Sequence, residues 1–114
     1  MTNFANGREA EAAAARYLEE HGYKVVEQNW RTRWCEIDIV AQKANTVYLV
    51  EVKYRRTTFQ GTGLDYITPT KLRQMSFAAE FWVQSHHWPG DYGLAAIEVS
   101  GPNYEVTNFL PELS

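Results

Sequence analysis

Residues 34–41, Trp34-Cys35-Glu36-Ile37-Asp38-Ile39-Val40-Ala41, and residues 46–53, Thr46-Val47-Tyr48-Leu49-Val50-Glu51-Val52-Lys53, decide how this chain is read. Both runs are rich in strand-forming residues, and both carry charge inside apolar sequence. Side chains alternate along a strand, so Glu36 shares a face with Asp38, and Glu51 with Lys53. Ile37, Ile39, Val50 and Val52 are predicted to form the opposite, apolar face. Val47 and Leu49 fall on the charged alternation, so that face is not simply a solvent face, and helix 8–21 is expected to cover part of it. Three carboxylates and an ammonium buried without partners would be strongly unfavourable. Two solutions stand open. Either the charges form a cross-strand ion-pair lattice, with Glu51 or Asp38 against Lys53 or Arg55, or a bound cation compensates them.

Working outward, Gln42 to Asn45 joins the two runs, and Ala44-Asn45 suits a hairpin turn. Upstream, Tyr23–Trp30 reads as a strand and Arg31–Arg33 as a turn. Residues 8–21 favour a helix, with Ala10, Ala14, Tyr17, Leu18 and His21 as its apolar stripe and Gly22 as its stop. Residues 1–6 are expected to be a loose leader. Downstream, Arg55–Ile67 has no useful periodicity and is expected to be a long loop, of the kind that serves as a functional flap. Thr68 as N-cap and Pro69 at the first helical position then open a helix to residue 85. Gly93–Val99 is apolar except for Glu98, as an interior strand would be. A last strand, Tyr104–Phe109, precedes an acidic tail at 110–114.

The predicted order is therefore α-β-β-β-α-β-β, an α/β domain with helices packed on a mixed sheet. At 114 residues the chain supports one domain with one core. No apolar run approaches the roughly 20 residues of a membrane span, and no secretory signal is apparent, so a cytoplasmic protein is expected. Cys35 is the single cysteine, which excludes an internal disulfide and a cysteine-based metal cluster. His86-His87 are adjacent rather than a helical turn apart, which reads as a helix terminus and not as a zinc pair.

The net charge of −3 conceals a split: residues 1–73 hold all 11 Lys/Arg against 9 of the 14 Asp/Glu, and residues 74–114 hold only acids. Between Arg31 and Arg73 the balance is basic, which permits a polyanion partner without requiring one. In that setting the carboxylates suit Mg²⁺ or Mn²⁺. Such ions take hard oxygen ligands from few side chains and leave the other positions to water and phosphate. Asp38 and Glu51 are the candidate ligands, and Lys53 could orient water or neutralise developing charge.

Several landmarks then fall in one order. Gly7-Arg8-Glu9 with Ala12 and Tyr17-Leu18, Gly22-Tyr23, Asn29-Trp30-Arg31, Glu36-Ile37-Asp38, Val50-Glu51-Val52-Lys53 with Arg55, Phe59 and Gly61, and finally Lys71 resemble the YraN-type family of bacterial proteins. That family in turn resembles the PD-(D/E)xK nuclease superfamily, notably the Holliday-junction resolvases. The resemblance implies a restriction-endonuclease-like three-layer α-β-α fold. It assigns Asp38 and Glu51 to a metal, Glu51-x-Lys53 to the superfamily motif, and Glu9 to the helix glutamate that completes the metal site. Arg31, Arg33, Arg55, Arg56, Lys71 and Arg73 would hold phosphates. DNA, branched or single-stranded, is the implied substrate, and a homodimer the implied assembly. Cys35 stands where the family usually has Gly, and Asp91-Tyr92-Gly93 replaces an Arg-Phe-Asp, which removes a basic residue. The leading expectation is a metal-dependent endonuclease-like phosphodiester hydrolase or a nuclease-fold nucleic-acid-binding protein. The alternative is an inactive binding or adaptor protein on the same fold.

Overall fold

The computed structural model describes residues 4–56 and 65–113, with side chains from Gly7 onward. The elements are α1 (Phe4–Glu20), β1 (Lys24–Arg31), β2 (Glu36–Lys43), β3 (Thr46–Arg55), α2 (Pro69–Ser85), β4 (Asp91–Ser100) and β5 (Glu105–Leu113). The predicted order holds. Helix α1 begins inside the expected leader, and β5 runs through most of the expected tail. Most of the anticipated flap after Arg55, with Phe59 and Gly61, lies outside the described residues.

The strands form one sheet in the order β1-β2-β3-β4-β5. Only β3 and β4 are parallel, and α2 lies between them in the chain. Two apolar clusters fill the opposite faces. Ala10, Ala14 and Leu18 of α1 pack with Ile39, Val50, Ile97 and Val99. Met75, Ala78, Ala79 and Trp82 of α2 pack with Val40, Val47, Leu49 and Leu94. The result is three layers, helix on sheet on helix. The small alanines of α1 let its backbone lie close to the sheet, whereas α2 keeps its distance with larger side chains.

Chain reversals follow the local chemistry. Gly22 has φ +90°, and Tyr23 N–H donates to the Leu18 carbonyl at 2.9 Å, a left-handed stop that satisfies a terminal carbonyl of α1. Thr68 Oγ1 accepts from Lys71 N–H at 3.1 Å and Pro69 occupies the first turn, so α2 starts as predicted. The β2–β3 turn is the two-residue Ala44-Asn45 connection, with Ala44 at φ +54°. Gly90 packs so closely on Asn45 that any Cβ there would collide with the Asn45 carbonyl oxygen. Strand β4, paired on both sides, is interior and almost wholly buried, as its composition requires. On β5 the pairing moves from Ala96↔Leu110 to Leu94↔Leu113, so one extra residue is accommodated around Pro111, where a missing N–H is least harmful. No helix among the described residues is long and apolar enough to cross a membrane.

Two expectations about the faces are corrected. The charged alternation with Val47 and Leu49 is covered by α2 and not by α1, because α1 packs on the face of Ile39 and Val50. Val50 and Ile39 join the α1 cluster, but Ile37 joins the α2 cluster with Trp30 beside it. Residues two apart thus lie on opposite sides, and the alternation breaks across Asp38.

Candidate metal centre

The break in alternation coincides with a fork in the sheet. Strand β2 pairs with β3 only from Ile39↔Val50 to the hairpin turn, while Ile37 and Glu36 pair with β1 alone. Beyond the fork Val52 N–H has no β2 carbonyl to meet and donates instead to Asp38 Oδ2 at 2.8 Å. That bond fixes the carboxylate at the crotch of the fork. Burial, and then the negative charge of Glu51, push the Asp38 carboxyl up to about 7, against the opposing hydrogen bond from Val52; Glu11 and Glu36 push in the same direction. Among the described residues no Lys or Arg forms a salt bridge to Asp38.

Glu51 projects from β3 into the same region, where Lys71 Nζ of α2 meets its Oε2 at 2.9 Å. Lys53 occupies the next position on that alternation of β3, but its exposed ammonium lies 5.8 Å from the centre of the Tyr66 ring rather than against either carboxylate. Asp38 and Glu51 both line a pocket of about 460 Å³ between the fork and the first turns of α2, walled by Trp34, Lys71, Met75 and Phe77.

The glutamate supplied by α1 differs from the expectation. Glu9 is exposed, and Glu11 two residues on is the partly buried one. Its side chain bonds to that of Asn29, burial raises its pKa, and its charge acts on Asp38. Asn29 itself adopts φ +54°, a left-handed conformation that asparagine tolerates better than most residues. At about 100° per residue, Glu11 sits nearer than Glu9 to the centre of the Ala10–Ala14–Leu18 stripe. The stripe's own arithmetic would have found it.

A family profile described as "Uncharacterised protein family UPF0102" matches residues 10–100. The chain belongs to UPF0102. A UPF0102 protein of Leifsonia xyli subsp. xyli is 42% identical over 94 residues, covering 82% of this chain and 80% of the relative. One from Rhodococcus opacus is 39% identical over 88 residues, with 75% of each chain covered. Another, from Stutzerimonas stutzeri, is 36% identical over 101 residues, covering 85% of this chain and 84% of the relative. The YraN-type resemblance is thereby settled at the family level. The matched span includes α1 from Ala10, the fork, and the helix carrying Lys71.

The UPF0102 chain distributes its six expected phosphate-binding residues unevenly. Arg55 is a structural residue: Nε lies 2.6 Å from Glu98 Oε2, and Nη2 is 2.5 Å from Asp65 Oδ1. Glu98, buried in β4, also accepts from Thr107 and Asn108 at 3.0 Å each. Lys71 is committed to Glu51. Arg31 faces Glu36 across the turn at 3.5 Å, with both side chains well exposed. Arg33, Arg56 and Arg73 are exposed, with Arg73 on the pocket rim. His86 caps α2 and meets Glu27 at 3.1 Å, a helix end as read. Among the described residues salt bridges join Arg55 to Glu98 and Asp65 and Glu51 to Lys71, in place of the cross-strand pairs of Asp38 or Glu51 with Lys53 or Arg55.

Sequence reading passed over Tyr66. Its hydroxyl is buried without a hydrogen-bond partner, and burial with the charges of Glu51, Glu98 and Asp38 pushes the phenol above its ordinary value. Nothing in the Asp65-Tyr66-Ile67 segment marks it, because its surroundings come from β3 and β4.

The donor set fits one kind of ion. Among the described residues no three carboxylate, histidine or cysteine groups converge as a metal cage. Two hard carboxylates beside an open pocket match Mg²⁺ or Mn²⁺ with water and substrate oxygens completing the sphere; they do not match structural zinc.

Proposed function

We propose that this UPF0102 protein is a divalent-metal-dependent phosphodiester hydrolase acting on DNA. The observation that carries the reading is Asp38: a part-buried carboxylate at the fork, beside Glu51, without a cationic partner among the described residues. Asp38 and Glu51 would hold Mg²⁺ or Mn²⁺, with Glu11 taking the place first assigned to Glu9 as the supporting helix carboxylate. A metal bound there would polarise the phosphodiester and offset charge developing in its transition state. Lys53 would hold and orient the attacking water, and Arg33, Arg56 and Arg73 would anchor flanking phosphates. A homodimer and a cytoplasmic location belong to the same proposal.

The test is cleavage of branched, nicked and single-stranded DNA with and without Mg²⁺, comparing wild type with E51A and K53A. Metal-dependent cleavage that falls at least a hundredfold in both variants is expected, and cleavage unaffected by either would sink the assignment. One observation favours a second reading. Lys71 already neutralises Glu51, an arrangement that a non-catalytic binding protein could keep permanently. That reading predicts no Mg²⁺-dependent NMR shifts around Asp38 and Glu51.

A further inference from the structure

The pocket that holds Asp38 and Glu51 has an aromatic side. Of the chain's four tryptophans, Trp82 and Trp88 direct their indole N–H groups to Glu27 and to the Asp91 carbonyl, and Trp30 packs on Phe81 and His86. Trp34 is different, being 65% exposed at the turn before β2. Phe77, 52% exposed on α2, stands across the same pocket. Phe81 links the two, with ring centres 5.9 Å from Trp34 and 6.0 Å from Phe77. Scattered exposed aromatics need no explanation, but a connected row bordering a charged pocket does.

The cations nearby select among occupants. The Arg33 guanidinium lies 5.2 Å from the centre of the Trp34 ring, and Lys71 and Arg73 line the pocket beside Phe77. An exposed indole with a guanidinium over its ring, and an exposed phenyl with cations beside it, suit a ligand that is planar and apolar in one part and anionic in the next. An unpaired nucleotide has that character: its base can stack while its phosphate meets the cation. A continuous duplex hides its base faces and relies on many phosphate contacts. Here Arg55 is ion-paired to Glu98 and Asp65, Lys71 to Glu51, and residues 74–114 carry no Lys or Arg, which leaves fewer cations for the many phosphate contacts of a duplex.

We propose that Trp34 and Phe77 form a stacking site for unpaired bases, so that the pocket takes single-stranded nucleic acid or the unpaired end of a branched one. This rests on the hydrolase reading for the role of the pocket, but binding can be measured without turnover.

The experiment uses the full chain in EDTA and a fluorescein-labelled oligothymidylate, followed by anisotropy, with a duplex of equal length as the second ligand. Wild type should bind the single strand about tenfold more tightly than the duplex, and W34A and F77A should each lose about tenfold on the single strand alone, as expected for one stacked base. W34F, which keeps a ring, should recover most of the loss. Both side chains are exposed, and circular dichroism verifies that the variants are folded. Unchanged single-strand affinity in folded W34A and F77A overturns the proposal, as does equal affinity for duplex. If W34A instead dissociates a dimer in sedimentation while single-strand affinity stays put, the row is a contact between copies and the proposal is overturned. Stacking-dependent binding without Mg²⁺-dependent cleavage would defeat the hydrolase reading alone. E51-dependent cleavage with ring-independent binding would defeat this inference alone.

Discussion

At the scale of single residues, Asp38 is stabilised in its protonated form. Its carboxyl moves from an ordinary 3.8 up to about 7, mainly through burial. The native state therefore keeps a proton that the unfolded chain releases. Stability from this group is complete below pH about 4 and is lost as pH rises through about 7, on the order of 4 kcal/mol in total. In EDTA the wild-type Tm should fall across that window relative to D38N, and Mg²⁺ should flatten the fall by favouring the ionised form. A D38N curve parallel to wild type would remove Asp38 as the cause. Lys71 makes the second residue-level prediction. Because its ammonium competes for the Glu51 carboxylate, K71M should tighten Mg²⁺ binding severalfold, by calorimetry, while weakening DNA binding. Unchanged or weaker Mg²⁺ binding would show that Lys71 does not compete.

Among the elements, the β2–β3 hairpin turn places Ala44 at φ +54°, where a Cβ is strained and glycine is not. A44G should stabilise the protein by up to about 1 kcal/mol, since removing the strain outweighs the entropy glycine adds to the unfolded chain. A lower denaturation midpoint would contradict this. The turn, the end of α1, the start of α2 and the order of elements along the chain were legible because each depends on local chemistry: Gly22 at a left-handed stop, Thr68-Pro69 at a helix start. What was not legible was non-local. The side on which Ile37 packs depends on where β2 leaves β3. Arg55 looked like a phosphate ligand until β4 brought Glu98 against it. Tyr66 acquires its environment from two strands distant in sequence. The candidate carboxylates of β2 and β3 were readable from alternation; that Glu11 rather than Glu9 is the partly buried helix glutamate whose charge acts on Asp38 was readable only from the geometry of the stripe.

For the molecule as a whole, all 11 Lys/Arg lie in residues 1–73 together with 9 of the 14 Asp/Glu, and the net charge is −3. Nucleic-acid affinity should accordingly fall only shallowly with salt, with a slope matching the three arginines proposed to anchor phosphates, Arg33, Arg56 and Arg73, rather than all 11 Lys/Arg. A plot of log affinity against log salt that is as steep as six or more contacts would contradict that count. The extra residue around Pro111 in β5 has a further consequence. β5 is the last strand of the sheet, and its outward row of backbone groups would otherwise be a template for strand addition by another copy. An imino acid, an interrupted register and the acidic Glu112 make that border a poor template. P111T combined with E112V should return a backbone N–H to that border, remove one of its charges and raise the aggregation rate in light scattering at unchanged fold. The β5 margin of the sheet thus serves as a guard against strand-to-strand addition by another copy.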